Sequence, residues 1–87
     1  MYKVVFTKTF KKEISKLDKY TQKLILSWIL NNIIEAEDPK LFGKALVGDL
    51  KGHWRYRVGD YRLIAKIVDE EIVIYFLNVG HRREIYR

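Results

Sequence analysis

Cysteine is absent from this 87-residue chain, which excludes a disulfide framework, a thiol nucleophile and a thiolate-bound metal. Proline occurs once, at Pro39, so little in the chain is stiffened or broken by that residue. Apolar runs are all far shorter than a membrane span, and the first residues lack a signal-peptide pattern. The expected setting is therefore cytoplasmic, away from any membrane. Acidic residues are the minority, 11 against 17 lysines and arginines, for a formal net charge of +6. An excess of that sign suits a polyanionic partner.

Apolar residues make up 48% of the chain, enough for one small folded domain spanning residues 1–87 and too much for disorder. The positive charge is unevenly spread. Arg55, Arg57, Arg62, Arg82, Arg83 and Arg87 all lie in the last third, whereas every lysine except Lys66 precedes Trp54. Lysines along helices are ordinarily solvated surface. Arginine's planar fork suits phosphate.

The stretch from Gly52 to Arg62 organises the rest. Trp54, Tyr56 and Val58 alternate with Arg55 and Arg57, the period of a strand with one apolar face. Gly59-Asp60 supplies a two-residue turn. Arg57 then faces Arg62 across the hairpin, and Arg55 faces Ile64. Trp54, Tyr56, Val58, Tyr61, Leu63, Ala65 and Ile67 form the core face. Like charges set opposite one another destabilise a hairpin, so the Arg57–Arg62 pair implies something anionic to bind.

Tyr2 to Phe6 reads as an opening strand. Thr7 or Thr9 caps a first helix with Phe10, Ile14 and Leu17 on one face. Asp18 or Thr21 starts a second helix, carried to about Glu37, where Asp38-Pro39 stops it. Its apolar content is broad, and any surplus over the core is a docking surface for a partner protein. Residues 39–51 read as a loop. Two further strands follow, Tyr61 to Asp69 and Ile72 to Val79, the second buried on both faces. Regular alternation places Leu77 and Val79 on the face of Arg62, with His81 following them. The fold class is α+β, two N-terminal helices on a small, mainly antiparallel sheet in the order β-α-α-β-β-β.

This arrangement is expected to gather Arg55, Arg57, Arg62, His81, Arg82 and Tyr86 into a phosphate site with an imidazole and a phenol beside it. RNA brings its own nucleophile, the 2′-hydroxyl, so cleavage needs a proton acceptor, a proton donor and cations around the phosphorane. The carboxylates fall mostly at turns, so no metal site and no cofactor are expected. His53, alone beside Trp54, reads as structural.

The ordered set Leu50-Lys51-Gly52-x-Trp54-Arg55-Tyr56-Arg57, Tyr61-Arg62-Leu63, Val79-Gly80-His81-Arg82 and Ile85-Tyr86 resembles the RelE branch of the RelE/ParE toxins. These are the toxic halves of type II toxin–antitoxin pairs. The resemblance spans essentially the whole chain. It implies a metal-independent endoribonuclease that cleaves mRNA in the ribosomal A site and is held off by a cognate antitoxin. It implies catalytic roles for Arg62, His81, Arg82 and Tyr86, and phosphate-binding roles for Lys51, Arg55, Arg57 and Arg83. Arg55 and Arg57 stand where archetypal members often have lysines; a guanidinium hardly gives up its proton, so acid/base work is expected of His81 and Tyr86. Relatives with a glutamate general base place it where this chain has Lys44. The alternatives are a non-enzymatic, ParE-like poison of DNA gyrase and a nucleic-acid-binding module without chemistry.

Overall fold

Thr7 turns the chain from strand to helix: its hydroxyl oxygen accepts the Phe10 amide at 3.2 Å and donates to the Phe76 carbonyl at 2.9 Å. In a computed structural model, which describes residues 2–81 and 83, this cap joins strand β1 (Lys3–Phe6) to helix α1 (Lys8–Ser15). Of the two threonines offered by the sequence, Thr7 is the cap. Asp18 caps helix α2 (Lys19–Ile29) by accepting the Thr21 amide at 3.2 Å, and that bond with the Thr21 hydroxyl holds its carboxyl below the usual range.

The second helix ends earlier than the expected Glu37. After Ile29 it widens into a π turn over Leu30–Ile34, where the Glu35 amide donates to the Leu30 carbonyl at 3.0 Å. A wider turn takes more residues, which keeps Ile33 in line with Ile25 and Ile29; all three are at most 1% exposed. Each such burial contributes about 1.5–3 kcal/mol. The Asp38 side chain then accepts the Lys40 amide, a local turn that competes with further helix.

The sheet has five strands, one more than the four expected. Residues 39–51, read as loop, contain strand β2 (Gly43–Ala45), which pairs antiparallel with β3 (His53–Val58). The missed signal is Gly43. A Cβ there would lie 2.7 Å from the Tyr56 ring, so only glycine lets β2 close over it. Strands β4 (Tyr61–Val68) and β5 (Val73–His81) complete the order β1-β5-β4-β3-β2, antiparallel except for β1 with β5. The mainly antiparallel sheet carrying two N-terminal helices is the expected fold.

Both helices lie on one face. Phe10, Ile14, Ile25, Ile29 and Ile33 pack against Tyr56, Val58, Leu63, Ala65, Ile67, Ile74, Phe76 and Val79. Tyr56 is central, tilted against Trp28 at 5.6 Å and Phe76 at 6.2 Å between ring centres. Its hydroxyl donates to the Pro39 carbonyl, and burial pushes that phenol far up, so it stays neutral. The broad apolar content of α2 and the π turn is only partly used in the core: Tyr20, Leu24, Leu26 and Leu30 remain exposed.

Candidate functional site

The hairpin forms in the register read from the sequence. Val58 pairs with Tyr61 around Gly59-Asp60, Arg57 with Arg62, Arg55 with Ile64 and Trp54 with Ala65. Gly59 has φ +59°, the conformation for which the turn needs glycine. Tyr56, Val58, Leu63 and Ala65 are buried beneath the helices, so the alternate residues, Arg55, Arg57 and Arg62, lie on the opposite face, the one that α1 and α2 leave bare.

That face is more cationic than expected. His53 pairs with Lys66, and Lys44 of β2 pairs with Arg55, so Lys44, His53 and Lys66 join the three arginines. His53 was read as structural and Lys44 as a loop residue. The parity of β3 was the available signal, because His53 lies two residues before Arg55. None of the five strands contains an acidic residue. Among the described residues the carboxylates sit in helices, turns and loops, as where Asp69 pairs with Lys40 at 3.0 Å beyond the end of β4. Hydrogen bonds from Tyr2 and Lys40 hold the Asp69 carboxyl below its ordinary range.

Arg62 differs from its expected exposure: it is 3% exposed, next to exposed Arg57. Arg55 is half-buried, while Lys51 is exposed at the end of a short 3₁₀ turn before β3. Arg83 is exposed and its amide donates to His81 Nδ1 at 3.3 Å. Arg82 and Tyr86 lie outside the described residues.

His81 is not on the arginine face. Ile64 pairs with Asn78 but Ala65 pairs with Phe76, so Leu77 is an extra residue in β5. This bulge reverses the alternation: Val79 pairs with Leu63 in the core, Gly80 with Arg62, and His81 with Tyr61. Val79 and His81 therefore fall on the helix-side face, against the expectation from regular alternation. The His81 ring stands edge-on to Tyr61 at 5.6 Å. Nor is β5 buried on both faces, since Val73, Tyr75 and Leu77 are half-exposed.

Glu13 of α1 secures the bulged segment. Its Oε1 accepts the Val79 amide at 3.0 Å and the Asn78 Nδ2 at 3.2 Å, where β1 has already ended. Nothing in the sequence pointed to this contact, which joins residues 66 apart. Among the described residues no group of three His, Asp or Glu is placed to hold a metal. Nor is any described helix long and apolar enough to cross a membrane. What the bare face can do is bind phosphate at a row of cations.

Comparison with known proteins places this geometry in context. Residues 4–86 match the family model described as the ParE toxin of the type II toxin–antitoxin system parDE. Toxin RelG of Mycobacterium tuberculosis is 33% identical over 86 residues, covering 99% of this chain and 97% of RelG. In the structure of the M. tuberculosis toxin–antitoxin complex RelBE2, the matching chain superposes with a TM-score of 0.83 at 31% identity. That match covers 93% of this chain and 98% of the other. The archaeal RelE–RelB complex of Pyrococcus horikoshii gives a TM-score of 0.68 at 29% identity, covering 93% and 94%.

Proposed function

The chain belongs to the ParE toxin family of the RelE/ParE type II toxins, and from that premise we propose that it is a ribosome-dependent mRNA endoribonuclease. The observation that carries this reading is the Arg57–Arg62 pair on a sheet without carboxylates. Like charges set opposite one another on a sheet repel, and an added anion lowers that repulsion whatever else each cation contacts. A phosphate diester meets that description, and the phosphorane formed by 2′-hydroxyl attack, with its extra charge, meets it better.

In this reading Arg57 and Arg62 hold the scissile phosphate and offset its developing charge, with Arg55 beside them. Lys51 and Arg83 contribute field from the margins. Of the two acid/base groups that the resemblance implies, Tyr86 keeps the proton transfer in this reading, and Arg82 is a further cation of the catalytic set. His81, on the other face at the rim of the sheet, takes a supporting part instead of standing over the phosphate. The proposed setting is the cytoplasm, on mRNA in the ribosomal A site, with no metal or cofactor used. The proposed partner is a cognate antitoxin, as in the RelB complexes of its relatives. The exposed Leu24, Leu26 and Leu30 offer it apolar contact, since scattered burial of such side chains stabilises an interface.

The test is primer extension on mRNA in a purified translation system containing this chain without antitoxin, with EDTA-resistant background nucleases excluded. Cuts at the A-site codon that require translation are expected. Intact mRNA together with arrested growth would replace this reading with gyrase poisoning, checked by DNA cleavage with gyrase.

A further inference from the structure

His81 is the last residue of β5, and two contacts fix its ring. It pairs with Tyr61 of β4, and the two rings stand edge to face, 5.6 Å apart at 79°. Its Nδ1 accepts the Arg83 amide at 3.3 Å, two residues further on. Arg83 already has helical backbone, so this bond stands where the chain turns out of the strand. It has the form of a side-chain cap, in which an acceptor satisfies the amide two places along.

That bond limits what the imidazole can do. An Nδ1 that accepts a hydrogen bond carries no proton, so the ring's proton sits on Nε2. Neither nitrogen is then free to take the proton of a 2′-hydroxyl: Nδ1 is engaged, and Nε2 already holds its hydrogen. Donation as an imidazolium fails for the converse reason, because a second proton on Nδ1 would point at the Arg83 N–H. Its place in the sheet agrees. Gly80 is the residue of β5 that pairs with Arg62, whereas His81 pairs with Tyr61 and projects from the other face. We propose that His81 is a positioning residue and not an acid or base. It fixes the direction in which the chain leaves β5, and through it the placing of Arg82 and Tyr86. The inference rests on the nuclease reading above for the roles of those two residues, and it takes from His81 the proton transfer that the resemblance implies.

Asparagine separates the two roles. Its Oδ1 hangs from the same carbon as Nδ1 and accepts an amide in the same place, whereas a carboxamide relays no proton. His81→Asn and His81→Ala are compared with the unaltered chain by hydrogen exchange of the Arg83 amide and by A-site cleavage across pH in the purified translation system. Circular dichroism confirms that both variants are folded. In His81→Ala the Arg83 amide should exchange about fivefold faster, as for a lost cap. Its maximal cleavage rate should fall by a similar factor, with the half-saturating ribosome concentration unchanged. His81→Asn should bring both back to within about twofold and keep the pH–rate profile of the unaltered chain. Loss of a general acid or base instead lowers the rate about 10²–10⁴-fold. A fall of that size in both variants, or a limb of the pH profile that disappears in His81→Asn, overturns the proposal and makes His81 an acid or base. So does an Arg83 amide that exchanges at one rate in all three proteins, since no cap would then exist. The exchange measurement needs no ribosome. Protection lost in His81→Ala and kept in His81→Asn, in a chain that makes no A-site cuts, would sink the nuclease reading and leave His81 as the cap.

Discussion

The two faces of β3 and β4 are made by the same short stretch of chain and have opposite physical purposes. On one, Tyr56, Val58, Leu63, Ala65 and Ile67 are buried against the helices. On the other, Arg57 and Lys66 are exposed, and Arg62 is packed in beside them. Burial of apolar area stabilises the fold, whereas opposed like charges oppose it. The apolar face therefore carries the stability that the cationic face spends. The largest expected effect follows from the centre of the apolar face. Tyr56→Ala should lower unfolding free energy by about 3–5 kcal/mol, measured by chemical denaturation. A loss below about 1 kcal/mol would mean that the aromatic cluster is not the keystone of that face.

On the cationic face, two substitutions that both reduce activity should differ in their effect on stability. Arg57→Ala removes an exposed side chain, so its unfolding midpoint should stay within the equivalent of about ±0.5 kcal/mol. A-site cleavage should fall about 10²–10³-fold, as for loss of one donor to a developing oxyanion. Arg62→Ala should reduce cleavage as strongly but should also destabilise the chain, because its side chain is 3% exposed. Equal stability of the two variants would contradict the asymmetry in burial. Full cleavage by a folded Arg57→Ala variant would remove Arg57 from the site.

Much of this contrast was legible in the residues. Period-2 alternation and Gly59-Asp60 fixed the β3–β4 register, because one face had to be apolar and a slip by one residue would bury arginine. The helix starts were legible in Thr7 and Asp18, whose side chains accept orphan amides. What was illegible depended on contacts distant in sequence. Strand β2 is only three residues long and exists because Gly43 fits against Tyr56. Membership of the cationic face was missed at Lys44 and His53 because the pairing partner or the strand start was not known. The position of His81 could not be read from alternation, because one extra residue at Leu77 inverts everything after it. The burial of Arg62, too, is a property of the assembled sheet and not of its neighbours in the chain.

The bulge is where the two faces exchange residues, so disturbing it sharpens the comparison with the smallest expected effect. Glu13 Oε1 accepts the Val79 amide just past the end of β1, and in doing so keeps Val79 in the core and Gly80 opposite Arg62. Glu13→Ala should leave that amide without its acceptor, at a cost of about 1–3 kcal/mol. Glu13→Gln retains an oxygen at the same reach and should recover most of the loss. Hydrogen exchange of the Val79 amide reads the contact directly: faster in the alanine variant, near normal in the glutamine variant. The alanine variant should also lower cleavage modestly, because Gly80 and His81 lie on the strand that flanks Arg62. If Val79 exchange were equally slow in both variants, the bulge would be held by the sheet alone, and Glu13 would be a surface residue of α1 with no part in the arrangement of either face.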